Sequence, residues 1–224
     1  MSFADKKLSE IAVSVPGSTS LLREYDLDFC CGGSDTLANA AAEKGLNLAE
    51  IETRLTELQN SKAENPEEYW VNATYPEIID HILVRYHQRH REQLQELIVL
   101  ADRVESVHGD REDCPIGVAA ELRNVYEDLS NHMMKEEHVL FPMIKAGNYM
   151  MAQMPIRMME MEHAEHGEHL DVLKSLTNNM TPPADACNTW RALYSGIQEF
   201  ADDLMMHIHR ENNILFPRVI AENH

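Results

Sequence analysis

HMMKEEHVLFP at residues 132–142 and HIHRENNILFP at residues 207–217 decide the fold. Each sets a His four residues ahead of a Glu, with Leu, Phe and Pro following at the same offsets. Four residues turn an α-helix through about 400°, so each His and its Glu point the same way, about 6 Å apart along the axis. Apolar residues continue at helical steps. One stretch carries Val118, Leu122, Val125, Leu129, His132, Glu136, Val139 and Met143; the other carries Trp190, Leu193, Ile197, Phe200, Leu204, His207, Glu211 and Ile214.

Upstream of each copy lies a pair of histidines, His87 and His90 in RYHQRH, then His163 and His166 in MEHAEH. His163 follows His87 by 76 residues, while His207 follows His132, and Glu211 follows Glu136, by 75. The second half therefore duplicates the first. Ile79, Leu83, His87, His90, Leu94, Leu97 and Ala101 trace one more helical face, and Ile156, Met159, His163, His166, Leu170 and Leu173 another. Breakers at Gly109 to Pro115, Gly147 to Pro155 and Thr181-Pro182-Pro183 separate the helices. The expected fold is all-α, an antiparallel four-helix bundle over residues 77–224. Ahead of it, helical patterns at Leu8 to Val15, Ser18 to Tyr25, Thr36 to Lys44 and Leu48 to Leu58 predict a small helical domain over residues 1–60. Residues 61–76, SKAENPEEYWVNATYP, are polar and aperiodic and read as a linker.

The 224 residues carry 19 Lys and Arg against 38 Asp and Glu, a net charge of −19. Such a field repels nucleic acid and anionic membrane surfaces, so both are excluded as partners. No apolar run reaches the eighteen or so residues of a membrane span, and MSFADKKLSEIA is no secretory signal. Four cysteines, two of them adjacent, read as free thiols of a reducing cytoplasm. All 12 His lie at or after His81, within the bundle.

Glu136 and Glu211 sit on core stripes, where a carboxylate without a partner costs several kcal/mol. Four inward imidazoles and two carboxylates, in two copies, point to metal. Two ions, each with two His and sharing both Glu as bridges, suit the pseudo-twofold, with an expected separation of about 3.5–4 Å. Mixed N/O ligation with spare positions favours iron or manganese over zinc.

The pattern His, His-x-x-x-Glu, His, His-x-x-x-Glu over residues 77–217 resembles a hemerythrin-like (HHE) domain. YDLDFCCGG, with its Cys-Cys pair, resembles the small ScdA-type N-terminal domain. In this order and length the two are similar to the repair-of-iron-centres di-iron family (YtfE/ScdA/DnrN-like proteins). The resemblance implies two non-haem, carboxylate-bridged iron ions on His87, His132, Glu136, His163, His207 and Glu211. It also implies a functional role for Cys30 and Cys31, a cytoplasmic location, and repair of iron–sulfur clusters after nitrosative or oxidative damage. NO or oxygen would be the small ligand and damaged iron–sulfur proteins the partners. The function follows by NO reduction at the di-iron site, iron donation, or both. A di-iron oxygen or redox sensor or carrier without turnover is the alternative, and a homodimer is compatible with exposed thiols and a linker.

Some residues keep several readings. His90 and His166 stay on the inward stripe as ligands, as partners of ligands, or as core histidines. Asp128 and Glu162 line a path to the metal or a solvated helix edge. Cys30 and Cys31 are expected at a helix N-terminus capped by Ser34 or Asp35, where the helix-end potential lowers a thiol pKa. The 12 Met between Met133 and Met206 are expected mostly to fill core rather than to bind metal through their thioethers, and His81, His108, His138, His169, His209 and His224 to face solvent.

Overall fold

The computed structural model describes residues 2–61 and 63–222, and among these there are helices and turns but no strand. His224 lies outside them. The chain divides into two compact units, Met1–Ile78 with Met206–His224, and Ile79–Met205.

In the first unit, α1 (Leu8–Ser14), α2 (Ser18–Glu24), α3 (Leu37–Glu43) and α4 (Leu48–Asn60) follow the four predicted helices to within two residues at each end. The Thr36 and Asn47 side chains cap α3 and α4 by accepting the N–H groups of Asn39 and Glu50. Phe3, Leu8, Ile11, Leu22, Leu27, Phe29, Leu37, Ile51 and Leu55 form the buried interior. The stretch read as a linker is itself largely helical. Asn65 caps α5 (Pro66–Asn72), with Pro66 in the first turn, where its missing N–H costs nothing. A capping box joins Thr74 and Glu77 at the start of α6 (Tyr75–Ile82). The residue that α5 buries is Glu67 rather than an apolar one, so the helix offers no hydrophobic stripe to read.

In the second unit α6 runs into a π-helical turn, π1 (Leu83–His87), and then α7 (Gln88–His108). Next come α8 (Val118–Lys135), π2 (Glu136–Leu140), α9 (Phe141–Lys145), α10 (Tyr149–Leu176) and α11 (Asn188–Arg210). The first unit resumes at Met206, within α11, and continues with π3 (Glu211–Leu215) and α12 (Phe216–Ala221). Four long helices pack in the second unit: α8 lies against both α7 and α10. Residues 188–205 of α11 lie against α7, where a Cβ on Gly196 would come within 2.7 Å of Leu97 Cδ2. Asp203 of α11 accepts from Arg85 at 3.1 Å and from Gln93 at 3.1 Å, fixing the same pair of helices.

Two expectations fail here. The predicted break at Gly147 to Pro155 shrinks to Gly147, which takes φ 75°, and α10 runs straight through Pro155. Methionine is mostly surface. Met150, Met151, Met154, Met158 and Met161 fall within an arc of about 100° on α10, opposite Ala152, Ile156, Met159 and His163. Each of the five is at least half exposed, whereas Met133 and Met159 are the methionines buried in the core among the described residues.

Candidate metal centre

His87 closes π1 and is fully buried. Its Nδ1 lies 2.8 Å from Glu137 Oε1, and its Nε2 lies 3.3 Å from Glu136 Oε2. His132, near the end of α8, repeats the arrangement. Its Nδ1 lies 2.9 Å from Glu162 Oε2, while its Nε2 lies 3.4 Å from Glu136 Oε2 and 3.1 Å from His163 Nε2. The His87 hydrogen bond, aided by Arg91 and opposed by burial, pushes Glu137 down to about 2. The His132 hydrogen bond, aided by Lys135, does the same for Glu162, also to about 2. Both carboxylates are thus ionised acceptors, which places the imidazole protons on Nδ1 and turns the Nε2 lone pairs inward.

Those lone pairs converge on Glu136, which is 0% exposed and whose two carboxylate oxygens accept no hydrogen bond. Carboxylate and imidazole acceptors facing one another at 3.3–3.4 Å repel unless something positive lies among them. The donor set, neutral imidazole nitrogen and carboxylate oxygen, fits a divalent transition metal. His132, Glu136 and His163 offer ligand atoms within 4.8 Å of one another, as do His87 and Glu136.

The first unit carries the other copy of the motif. His207 and Glu211 are both fully buried, with Nε2 and Oε1 3.3 Å apart. Glu211 opens π3 just as Glu136 opens π2. A π-helical turn inserts one residue into the α-helical register, and such turns collect at functional sites. Here it accounts for a slip in the expected core stripe: Val139 is exposed, and Leu140, Phe141 and Ile144 are buried instead. Upstream of His87 the same slip buries Ile82 and Tyr86 rather than Leu83.

The convergent ligand atoms come from the first His of each predicted pair. His90 is fully buried, stacks on Tyr86 at 6.2 Å and lies 3.4 Å from Gln93 Oε1. His166 presents its ring edge-on to His132 at 4.9 Å. Glu162 orients His132, whereas Asp128 stands at a solvated helix edge, 3.1 Å from His169 Nε2. Sequence reading passed over Glu137. The clue lay in its place beside Glu136, one helical step round from the core stripe. It also placed His209 in solvent; that residue is fully buried, 3.4 Å from Glu67.

Cys30 and Cys31 are free thiols with their sulfurs 3.8 Å apart. They are not at a helix N-terminus: α3 begins six residues later at Leu37, under the Thr36 cap. Instead Asp28 organises the turn. Its Oδ1 accepts the N–H groups of Cys30 (3.0 Å) and Cys31 (2.9 Å), and its Oδ2 accepts that of Gly32 (2.8 Å). The Cys30 thiol donates to Asp28 Oδ1 at 3.2 Å. The hydrogen bond with Cys31, burial, and the charges of Cys31 and Asp28 all raise the Cys30 pKa well above the usual thiol range, the reverse of the lowering expected for a helix end. A Cβ at Gly33 would meet the Phe29 carbonyl at 2.4 Å, so this turn closes only on glycine. Asp28, Cys30 and Cys31 also offer ligand atoms within 4.8 Å of one another.

Fold and side chains define a class, the helical proteins with a buried His/carboxylate cation centre. The hemerythrin HHE cation binding domain matches residues 78–219, and a domain of unknown function (DUF542, ScdA_N) matches residues 4–59. The probable iron-sulfur cluster repair protein of Haemophilus influenzae is 68% identical over 222 residues, 99% of this chain and 100% of that one. The iron-sulfur cluster repair proteins YtfE of Musicola paradisiaca and Citrobacter koseri are each 54% identical, with 98% and 99% of both chains covered, respectively. The chain belongs to the hemerythrin HHE family of metal-binding proteins, in the two-domain branch of the YtfE-type iron–sulfur cluster repair proteins. No helix among the described residues is long and apolar enough to cross a membrane.

Proposed function

We propose that this chain repairs iron–sulfur clusters damaged by nitrosative or oxidative stress, using a non-haem di-iron centre held by His87, His132, Glu136, His163, His207 and Glu211. Glu136 carries the reading, as a fully buried carboxylate facing two imidazole Nε2 atoms with no hydrogen bond to its oxygens. The duplication supports a matching role for His207 and Glu211, whose spacing and burial repeat those of His132 and Glu136. When bound, the iron pair would supply open positions and electrons for NO or oxygen, or iron for a damaged cluster. The chain's own residues prepare that chemistry. Glu137 and Glu162 hold the imidazole protons on Nδ1 and so fix which nitrogen faces inward. Burial excludes water, and the net charge of −19 draws cations towards the protein. Residues 1–60 would present Cys30 and Cys31 as the ligands through which iron passes to a damaged protein in the cytoplasm.

Metal analysis and EPR of anaerobically purified protein, with and without NO, test this. The expected result is about two irons per chain and a reduced-state signal quenched stoichiometrically by NO. One zinc, or no metal, overturns the di-iron centre, and a stable, reversible oxygen complex without turnover replaces repair by a carrier. A Cys30→Ala/Cys31→Ala variant that still consumes NO but no longer restores a damaged [4Fe–4S] protein would assign iron transfer to the thiols.

A further inference from the structure

The two copies of the duplicated turn agree at His, Glu, Leu, Phe and Pro and differ at the other six positions, two of which (Met133/Ile208 and Val139/Ile214) exchange one apolar side chain for another. Met134, Lys135, Glu137 and His138 of the first copy correspond to His209, Arg210, Asn212 and Asn213 of the second. In the first copy Met134 and His138 are exposed, Lys135 reaches Glu162, and Glu137 holds His87. In the second copy all four residues engage the amino-terminal segment of their own unit. Arg210 pairs with the buried Glu67 and lies over the Trp70 ring at 4.8 Å, and His209 lies 3.4 Å from the same carboxylate. Asn212 Nδ2 donates to the Cys30 carbonyl at 2.9 Å, and Asn213 Nδ2 donates to the Phe29 carbonyl at 2.8 Å. Asn213 Nδ2 also lies 2.8 Å from His209 Nδ1, and the Phe29 ring meets the His209 ring edge-on at 5.3 Å. Two consecutive amides, one and two residues beyond Glu211, thus grip two consecutive carbonyls of the turn that bears the thiols.

We propose that Asn212 and Asn213 are positioning residues that clamp the Cys30–Cys31 turn to the helical turn of Glu211, so that the reactivity of the thiols follows whether Glu211 holds a cation. The proposal rests on the reading of Glu211 as a metal ligand. With a cation bound, Glu211 is fixed, π3 is rigid, and the amides keep Cys30 covered. Without one, Glu211 loses that fixed point, π3 loosens, and the clamp opens more often. By linkage, engaging the thiols must in turn change how tightly Glu211 holds its metal. Asn212 and Asn213 also line an open cleft of about 450 Å³ with Lys6, Ser9, Glu10 and Pro217, so water can compete for their hydrogen bonds as the turn opens. Duplication supplied the metal motif twice, and the second copy spent its free positions on holding the thiol turn.

The experiment measures iodoacetamide alkylation of Cys30 and Cys31 by mass spectrometry on the full chain, anaerobically, metal-free and loaded with ferrous iron. In the wild type, metal-free protein is expected to react severalfold faster than loaded protein. In Asn212→Ala/Asn213→Ala the rate should rise about tenfold or more in both states, the shift in opening expected from two lost hydrogen bonds, with iron content unchanged. Should the double variant fold poorly, Asn212→Ala alone, which leaves the Asn213 bonds intact, should show a smaller rise in the same direction. Equal rates in iron-free and iron-loaded wild type, with iron shown to be bound, overturn the coupling and leave the metal centre standing. If no iron binds, the metal reading has failed, and the metal-free rates alone judge the clamp: no acceleration in either variant overturns it.

Discussion

Changing Glu136 to Gln should stabilise the metal-free protein and weaken its hold on metal. The substitution keeps the shape of the side chain and replaces one carboxylate oxygen with an NH₂ group. With the amide nitrogen in the place of Oε2, its two N–H groups face His87 Nε2 at 3.3 Å and His132 Nε2 at 3.4 Å. Two opposed acceptor pairs become two hydrogen bonds, each worth a net of about 0.5–1.5 kcal/mol. Removal of an unpaired buried charge adds to this, so the gain is about 2–3 kcal/mol. For a chain of this size each kcal/mol moves Tm by about 2–4 °C, giving a rise of about 4–12 °C in metal-free protein. With ferrous iron the order should reverse, because only the wild type gains the stabilisation that comes from a ligand binding the folded state. Thermal unfolding of both proteins, chelated and iron-loaded, reads all four values. A metal-free Glu136→Gln protein that melts below the metal-free wild type would refute the reasoning, since Glu136 would then be satisfied by the protein alone.

Three further outcomes follow from the same geometry. Glu137→Gln and Glu162→Gln should each weaken ferrous iron binding by about 10–100-fold, because the imidazole facing each loses the acceptor that fixes its tautomer; competition with a chelator measures this, and unchanged affinity counts against it. Glu67→Ala strands Arg210, which is 3% exposed, and should cost about 3–5 kcal/mol in urea unfolding; a loss below about 1 kcal/mol would show that the Trp70 face suffices for the guanidinium. Burial lowers the His169 pKa, but hydrogen bonds to Glu121 and Asp128 more than reverse this and raise it above its ordinary 6.5. Its stabilisation is therefore complete below pH 6.5 and is lost as pH rises through the folded value. The stability gap between wild type and His169→Gln should close over that window, and a gap that widens with pH is the contrary result.

Much of this was legible in the sequence. The four amino-terminal helices and the His-x-x-x-Glu spacings follow from period alone, because an apolar stripe and a breaker are local features. The π-helical turns were not. An α-helical period carried through Glu136 lands on Val139, and only the burial of Leu140 and Ile144 reveals the inserted residue. The Cys turn misled for a related reason: Gly32-Gly33 looks like the approach to a helix, but Asp28, two residues upstream of Cys30, supplies the acceptors that shape it. His209 read as solvent-facing because its partner, Glu67, lies 142 residues away in a stretch whose polarity disguised a helix. Periodicity reports which face is apolar; it carries no record of distant partners.

The methionine arc on α10 sets exposed thioethers where an oxidant in solution meets them first. Peroxide transfers an oxygen atom to a thioether and leaves as water, turning an apolar side chain into a polar sulfoxide. In a core that change would break packing, but Met150, Met151, Met154, Met158 and Met161 all stand on the side away from it. Successive oxidations would alter the wetting of one helix face and its adhesion to other molecules while the bundle stays folded, and reductases reaching that face could reset it. The protein would carry the history of its exposure on its skin, in up to five reversible marks.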